Sequence, residues 1–226
     1  MADEKSYIND SRIKAGKDDK VIARDSGFEA GKNGNFDIML LRRGNTSYII
    51  EVYMKLQFFF VDGDEKASGW PSKGGHRWTQ KEKNDFMNNW HLLVKTNWSR
   101  NNIGNLSDGK PVSVIINFTA QQGGWMWDHF ELDVTKLPPT PSSFAQSYVQ
   151  RQTFDADVEL DSKDLSPKKG GQLAAVHEFG HMIGLPDEYK STSPNFNDKD
   201  SIMNTGTKIK KRHFDILINW ANKQIK

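Results

Sequence analysis

Apolar and polar residues alternate along this chain in runs of two kinds, some with the period of a strand and some with that of a helix. Residues 36–61, FDIMLLRRGNTSYIIEVYMKLQFFFV, hold two β-rich stretches around Arg43-Gly44-Asn45-Thr46. Gly and Asn tolerate the positive φ of a tight turn, so the segment predicts a β-hairpin. Thr79 with Glu82 three residues later is a capping-box pattern, and Phe86, Trp90, Leu93 and Val94 then repeat at helical spacing to about Asn97. That spacing predicts an amphipathic helix packed on a sheet. Residues 112–118 form a short apolar run suited to an inner strand, and residues 123–134 are rich in strand-forming aromatics. Pro138 and Pro139 break the chain, leaving room for one more strand over 148–160. The Ser166-Pro167 pair predicts a helix running to about Gly184, and a last helix covers about 211–223.

Residues 1–35 differ. They carry seven acidic and seven basic side chains with no sustained period, and read as a polar N-terminal arm or extension ahead of a main domain at 36–226. Over the whole 226 residues, 31 basic and 29 acidic side chains nearly cancel, which gives no support to bulk binding of nucleic acid. No cysteine occurs, so disulfides, thiolate catalysis and Cys-based metal sites are excluded, and any metal must sit on nitrogen and oxygen. No apolar run approaches the ~20 residues of a spanning helix. The start MADEKSYIND lacks the basic tip and apolar stretch of a signal peptide. Such a start fits a cytoplasmic protein, a trimmed chain or an exported effector; with the missing cysteines and the charged arm, the expectation includes a bacterial effector or toxin exported by a non-classical route through a secretion or injection apparatus.

One segment carries chemistry: His177-Glu178-Phe179-Gly180-His181-Met182-Ile183-Gly184-Leu185-Pro186-Asp187. Four residues are slightly more than one helical turn, so His177 and His181 project from one face about 6 Å apart, close enough to share one ion. Glu178 lies about 100° around the helix, near the metal yet placed to take a proton from water rather than to compete as a ligand. Gly184 suits a left-handed turn and Pro186 forbids further helix, so the chain can swing Asp187 back to complete a three-ligand zinc site.

With Ser201-Ile202-Met203-Asn204 following, the segment resembles the metzincin clan of zinc metallopeptidases, whose pattern is HExxHxxGxxH and a Met-turn. The resemblance covers residues 177–204, and Asp187 replaces the third histidine. It implies one catalytic zinc on His177, His181 and Asp187, Glu178 as general base and acid, and Met203 as the apolar floor under the metal. It also implies an α+β, zincin-like fold: a twisted mixed sheet, a backing helix, an active-site helix and a C-terminal helix. The function expected is metalloendopeptidase action on a protein or peptide. Two other readings remain open: a zincin-shaped binding module with structural zinc and no turnover, and a zinc amidase acting on cell-wall peptide.

Five further residues are candidates. Glu188 could replace Asp187 on the metal, and Tyr189 could approach a bound carbonyl to stabilise its oxyanion. His213 could reach the zinc from the last helix. Trp125 and Trp127 could line one face of a strand and hold an extended substrate by strand addition and aromatic contact.

Overall fold

A computed structural model describes residues 4–124, 128–139, 147–151, 156–168 and 171–225. Among the described residues, nine strands form one sheet. Its spine is β4 (Ser47–Val61), joined to β3 (Gly34–Arg43) by the predicted hairpin, with Gly44 at φ 50°. One edge of β4 pairs in parallel with β6 (Pro111–Gln122) along eleven residues. The other edge is shared end to end: residues 47–53 pair with β3, and residues 56–61 pair in parallel with β7 (Phe130–Thr135). Beyond β7 lie β9 (Ala156–Asp161), parallel, and β8 (Tyr148–Arg151), antiparallel and at the rim. On the far side of β6, β1 (Tyr7–Asn9) and β5 (Arg100–Asn105) pair antiparallel at its two ends. The expectation of one strand over 148–160 thus differs from the two observed.

Residues 1–35, read from the sequence as a polar N-terminal arm or extension, contain β1 and also β2 (Asp19–Ala30), which forms a hairpin with β3. Sequence periodicity missed β2 because most of its side chains lie at or near the surface. Its stability comes from the ladder with β3 rather than from an apolar face.

Helix α1 (Gln80–Trp98) begins at Thr79 with the capping box formed in both directions, Thr79 accepting from the Glu82 backbone and Glu82 from that of Thr79. Its buried face, Phe86, Met87, Trp90, Val94 and Trp98, covers the sheet. Trp90 packs edge-on against Phe58 and Phe118 at 5.5 and 5.3 Å between ring centres, and Phe179 of the second helix joins the cluster. A 3₁₀ turn (Lys211–Phe214) leads into α3 (Asp215–Gln224) close to the predicted last helix.

The second helix, α2 (Ala174–Met182), is shorter than predicted. Ser166-Pro167 does not start it; turns occupy 162–166, and Gly171 at φ 87° keeps the chain out of helical geometry until Leu173. The whole is a mixed α+β, zincin-like fold with three helices and a twisted mixed sheet. No helix among the described residues is long and apolar enough to cross a membrane.

Candidate metal centre

Helix α2 is held from behind. Trp98, fully buried at the end of α1, donates its indole N–H to the carbonyl of Val176 at 3.0 Å, one residue before His177. Phe179 points into the same aromatic cluster, 5.7 Å from Trp98. On the underside, Gly180 meets Met203: a Cβ there would fall on the Met203 sulfur. The missing side chain at Gly180 is what lets the fully buried Met203 lie against the helix.

The helix ends as the sequence suggested. Gly184 takes φ 94°, the amide of Leu185 bonds back to Gly180 O, and Pro186 leads to Asp187. The ligand-capable atoms of His177, His181 and Asp187 come within 4.8 Å of one another. Asp187 Oδ1 lies 3.5 Å from His177 Nε2 and 3.1 Å from His181 Nε2.

Both imidazoles are oriented by backbone carbonyls. His177 Nδ1 sits 2.7 Å from Ile202 O, and His181 Nδ1 sits 2.7 Å from Leu185 O. A carbonyl oxygen only accepts, so each Nδ1 carries a hydrogen, and in the neutral ring Nε2 keeps a lone pair. Two nitrogen lone pairs and a carboxylate oxygen therefore converge. Neither Asp187 Oδ1 nor the buried Glu178 Oε2 receives a hydrogen bond among the described residues. Such an arrangement repels itself unless a positive charge stands in its midst, and an imidazole, imidazole and carboxylate set suits zinc. The residues fit the ion.

The charged groups of the site act on one another. Burial alone would raise Asp187, but the two imidazoles and Lys190, 2.8 Å from Oδ2, outweigh it and hold the carboxyl far below the usual range. Burial pushes the Glu178 carboxyl up, against the pull of His177 and His181. Burial works to lower His181, and Asp187 and Glu178 override it to raise the imidazole.

A cleft of about 560 Å³ opens over this group, walled by Tyr148 and Val149 of the rim strand β8 and by Gly31, Lys32 and Asn33 at the β2–β3 turn. A second cavity of about 410 Å³ continues past it, lined by Gln172, Asn204 and Thr205, and shares Ser147, His177, Glu178 and Tyr189 with the first. Tyr189, partly exposed, stacks on His177 at 6.4 Å and 20°. Burial and the Asp187 charge raise its phenol.

The family model described as immune inhibitor A peptidase M6, catalytic domain, matches residues 121–216, a span that contains all of α2, Asp187 and Met203. The chain is a zinc metallopeptidase. It is a hydrolase, and its substrate is a protein or peptide. Neither a curated protein nor a solved structure matches the chain.

Other predicted residues of this peptidase lie apart from the metal group. Glu188 is buried and faces Arg212, which donates to both its oxygens at 2.8 Å. His213, 2% exposed, contacts Ser201 Oγ at 3.1 Å and accepts from the Lys210 amide. Both build the platform under the 201–204 turn. Trp125 and Trp127 lie outside the described residues. The sequence reading missed the orienting carbonyls of Ile202 and Leu185, because a backbone carbonyl leaves no mark in residue type. It also missed the 31–33 turn, for which Gly31 and Gly34 around Lys32-Asn33 were the available signal.

Proposed function

We propose that His177 and His181 through Nε2, and Asp187 through its carboxylate, hold the zinc, and that the protein is an endopeptidase of metzincin type with Glu178 as general base and acid. The convergence of three unshared ligand atoms on one point carries this reading. Zinc held there supplies Lewis-acid chemistry, polarising a carbonyl oxygen and acidifying water. Glu178 Oε2, buried and without a hydrogen-bond donor among the described residues, is free to take the proton of an attacking water. Its raised affinity for a proton suits it to accept that proton and hold it until the more basic leaving amine takes it. Glu178 then ends the cycle as it began, ionised. Tyr189, beside His177 at the mouth, is placed to donate its hydroxyl hydrogen to an oxyanion. Met203 forms the floor of the site by supporting α2 at Gly180.

The two cavities flank Glu178, so a peptide can extend in both directions from the reacting bond. That favours cutting within a chain over trimming its ends. The test is Glu178→Gln: zinc content by metal analysis stays at one ion, while turnover, read as new peptide termini in a protein mixture, falls about 10³-fold. Turnover equal to wild type would overturn the assignment.

A further inference from the structure

One wall of the cleft comes from a distant part of the chain. The β2–β3 turn lies directly on the turn that follows α2. A Cβ at Gly31 would fall on Gly184 O, and one at Gly34 would come within 2.8 Å of Gly184 N, so the two backbones touch where no side chain intervenes. Asn33 Nδ2 donates to Val149 O on the rim strand at 3.0 Å. The turn is thus fixed at two points, to the loop that delivers Asp187 and to the strand above the cleft. Lys32, between those anchors, is exposed and lines the cleft.

Charges along this cleft are few. Asp187 has Oδ2 paired with Lys190 and belongs to the candidate metal group. Glu178 lies buried in the floor. Lys32 forms no ion pair among the described residues and stands as an unneutralised cation at the lip. We propose that Lys32 is a specificity-determining residue that selects substrates carrying an aspartate or glutamate side chain at the subsite against the β2–β3 turn. The proposal rests on the peptidase reading above. Lys190 and Lys168, which also line the cleft and its continuation, are paired with Asp187 and Asp164, so the ammonium of Lys32, held by a fixed turn, is the one left to meet a substrate carboxylate among the described residues.

The experiment profiles cleavage of a random peptide library by the zinc-loaded full chain, scoring residue frequencies around each new terminus by mass spectrometry. Glu178→Gln defines the background. Wild type is expected to enrich Asp and Glu at one subsite. Lys32→Ala should lower kcat/KM for a matched Glu peptide about three- to fivefold while leaving its Gln counterpart unchanged, the scale of one surface ion pair. Lys32→Glu should reverse the preference toward Lys and Arg at that subsite alone. Lys17→Glu, an exposed charge outside the cleft, should change neither peptide. Termini that depend on Glu178 but show no acidic enrichment, or enrichment that survives Lys32→Glu, would overturn this proposal and leave the peptidase reading standing. An absence of any termini dependent on Glu178 would overturn the reading beneath it, and this proposal with it.

Discussion

Asp187 Oδ1 faces His181 Nε2 at 3.1 Å, while the opposite nitrogen of the same ring is spent on the Leu185 carbonyl at 2.7 Å. One loop therefore sets both halves of the contact: Leu185 fixes the ring, and two residues later Asp187 returns to meet it. With both rings neutral, three electron pairs kept this close repel one another, and a cation among them relieves that repulsion.

Asp187→Asn removes the negative charge but keeps the shape. Zinc affinity, measured by competition with a coloured chelator, is expected to fall at least about 100-fold, beyond the loss typical of a residue that only orients a ligand. Thermal stability at fixed free zinc should fall with it, since the ion stabilises only the folded state. An affinity within threefold of wild type would remove Asp187 from the ligand set.

Gly180→Ala tests the packing beneath the helix. The added methyl meets the Met203 sulfur, with Trp98 3.3 Å away on the other side. Overpacking of this kind costs about 1–3 kcal/mol in urea denaturation. The double variant with Met203→Ala should recover part of that loss, and additive losses would refute the contact.

Arg212→Met leaves Glu188 buried without its guanidinium. The two bonds at 2.8 Å disappear, and Asp198 loses its contact to the same group. The cost expected is about 3 kcal/mol, the scale for stranding a buried charge. Because Glu188 lies apart from the metal group, zinc content should remain at one ion; loss of zinc in the folded variant would contradict that placement.

Two buried groups give opposing pH dependences. Burial and the neighbouring Asp164 charge push the Asp161 carboxyl up to about 6 from an ordinary 3.8, so between those values the folded chain holds a proton that the unfolded chain releases. That contribution is complete below 3.8 and is lost as pH rises through 6. Burial lowers His213 to about 4 from 6.5, so there the unfolded chain holds the extra proton, and stability grows as pH rises through the same window. Asp161→Asn removes only the falling contribution. Its unfolding free energy should therefore climb more steeply between pH 4 and 6 than that of wild type, by up to about 1.4 kcal/mol per pH unit. Equal slopes would show that Asp161 titrates normally.

Legibility followed locality. The β3–β4 hairpin, the Thr79 cap and the His177 to Asp187 geometry each depend on residues within a dozen positions, and the sequence displays them. The start of α2 was misjudged because Ser166-Pro167 is a sound local signal that the Gly171 backbone overrides. Strand β2 escaped because its stabilising partner is a neighbouring backbone rather than a stripe of apolar side chains. Glu188 looked like a ligand from its position beside Asp187; only the fold brings Arg212 to its other side. The cleft wall at 31–33 was invisible for the same reason, its partners lying near 149 and 184.

The contact between the Gly31 and Gly184 turns also bears on the order of assembly during synthesis. Residue 31 leaves the ribosome some 150 residues before residue 184, so their contact cannot form until residue 184 has been synthesised. The turn at residue 31 has its packing partner only once the helix of residues 174–182 and the turn after it have emerged, so this side of the cleft is completed late in synthesis.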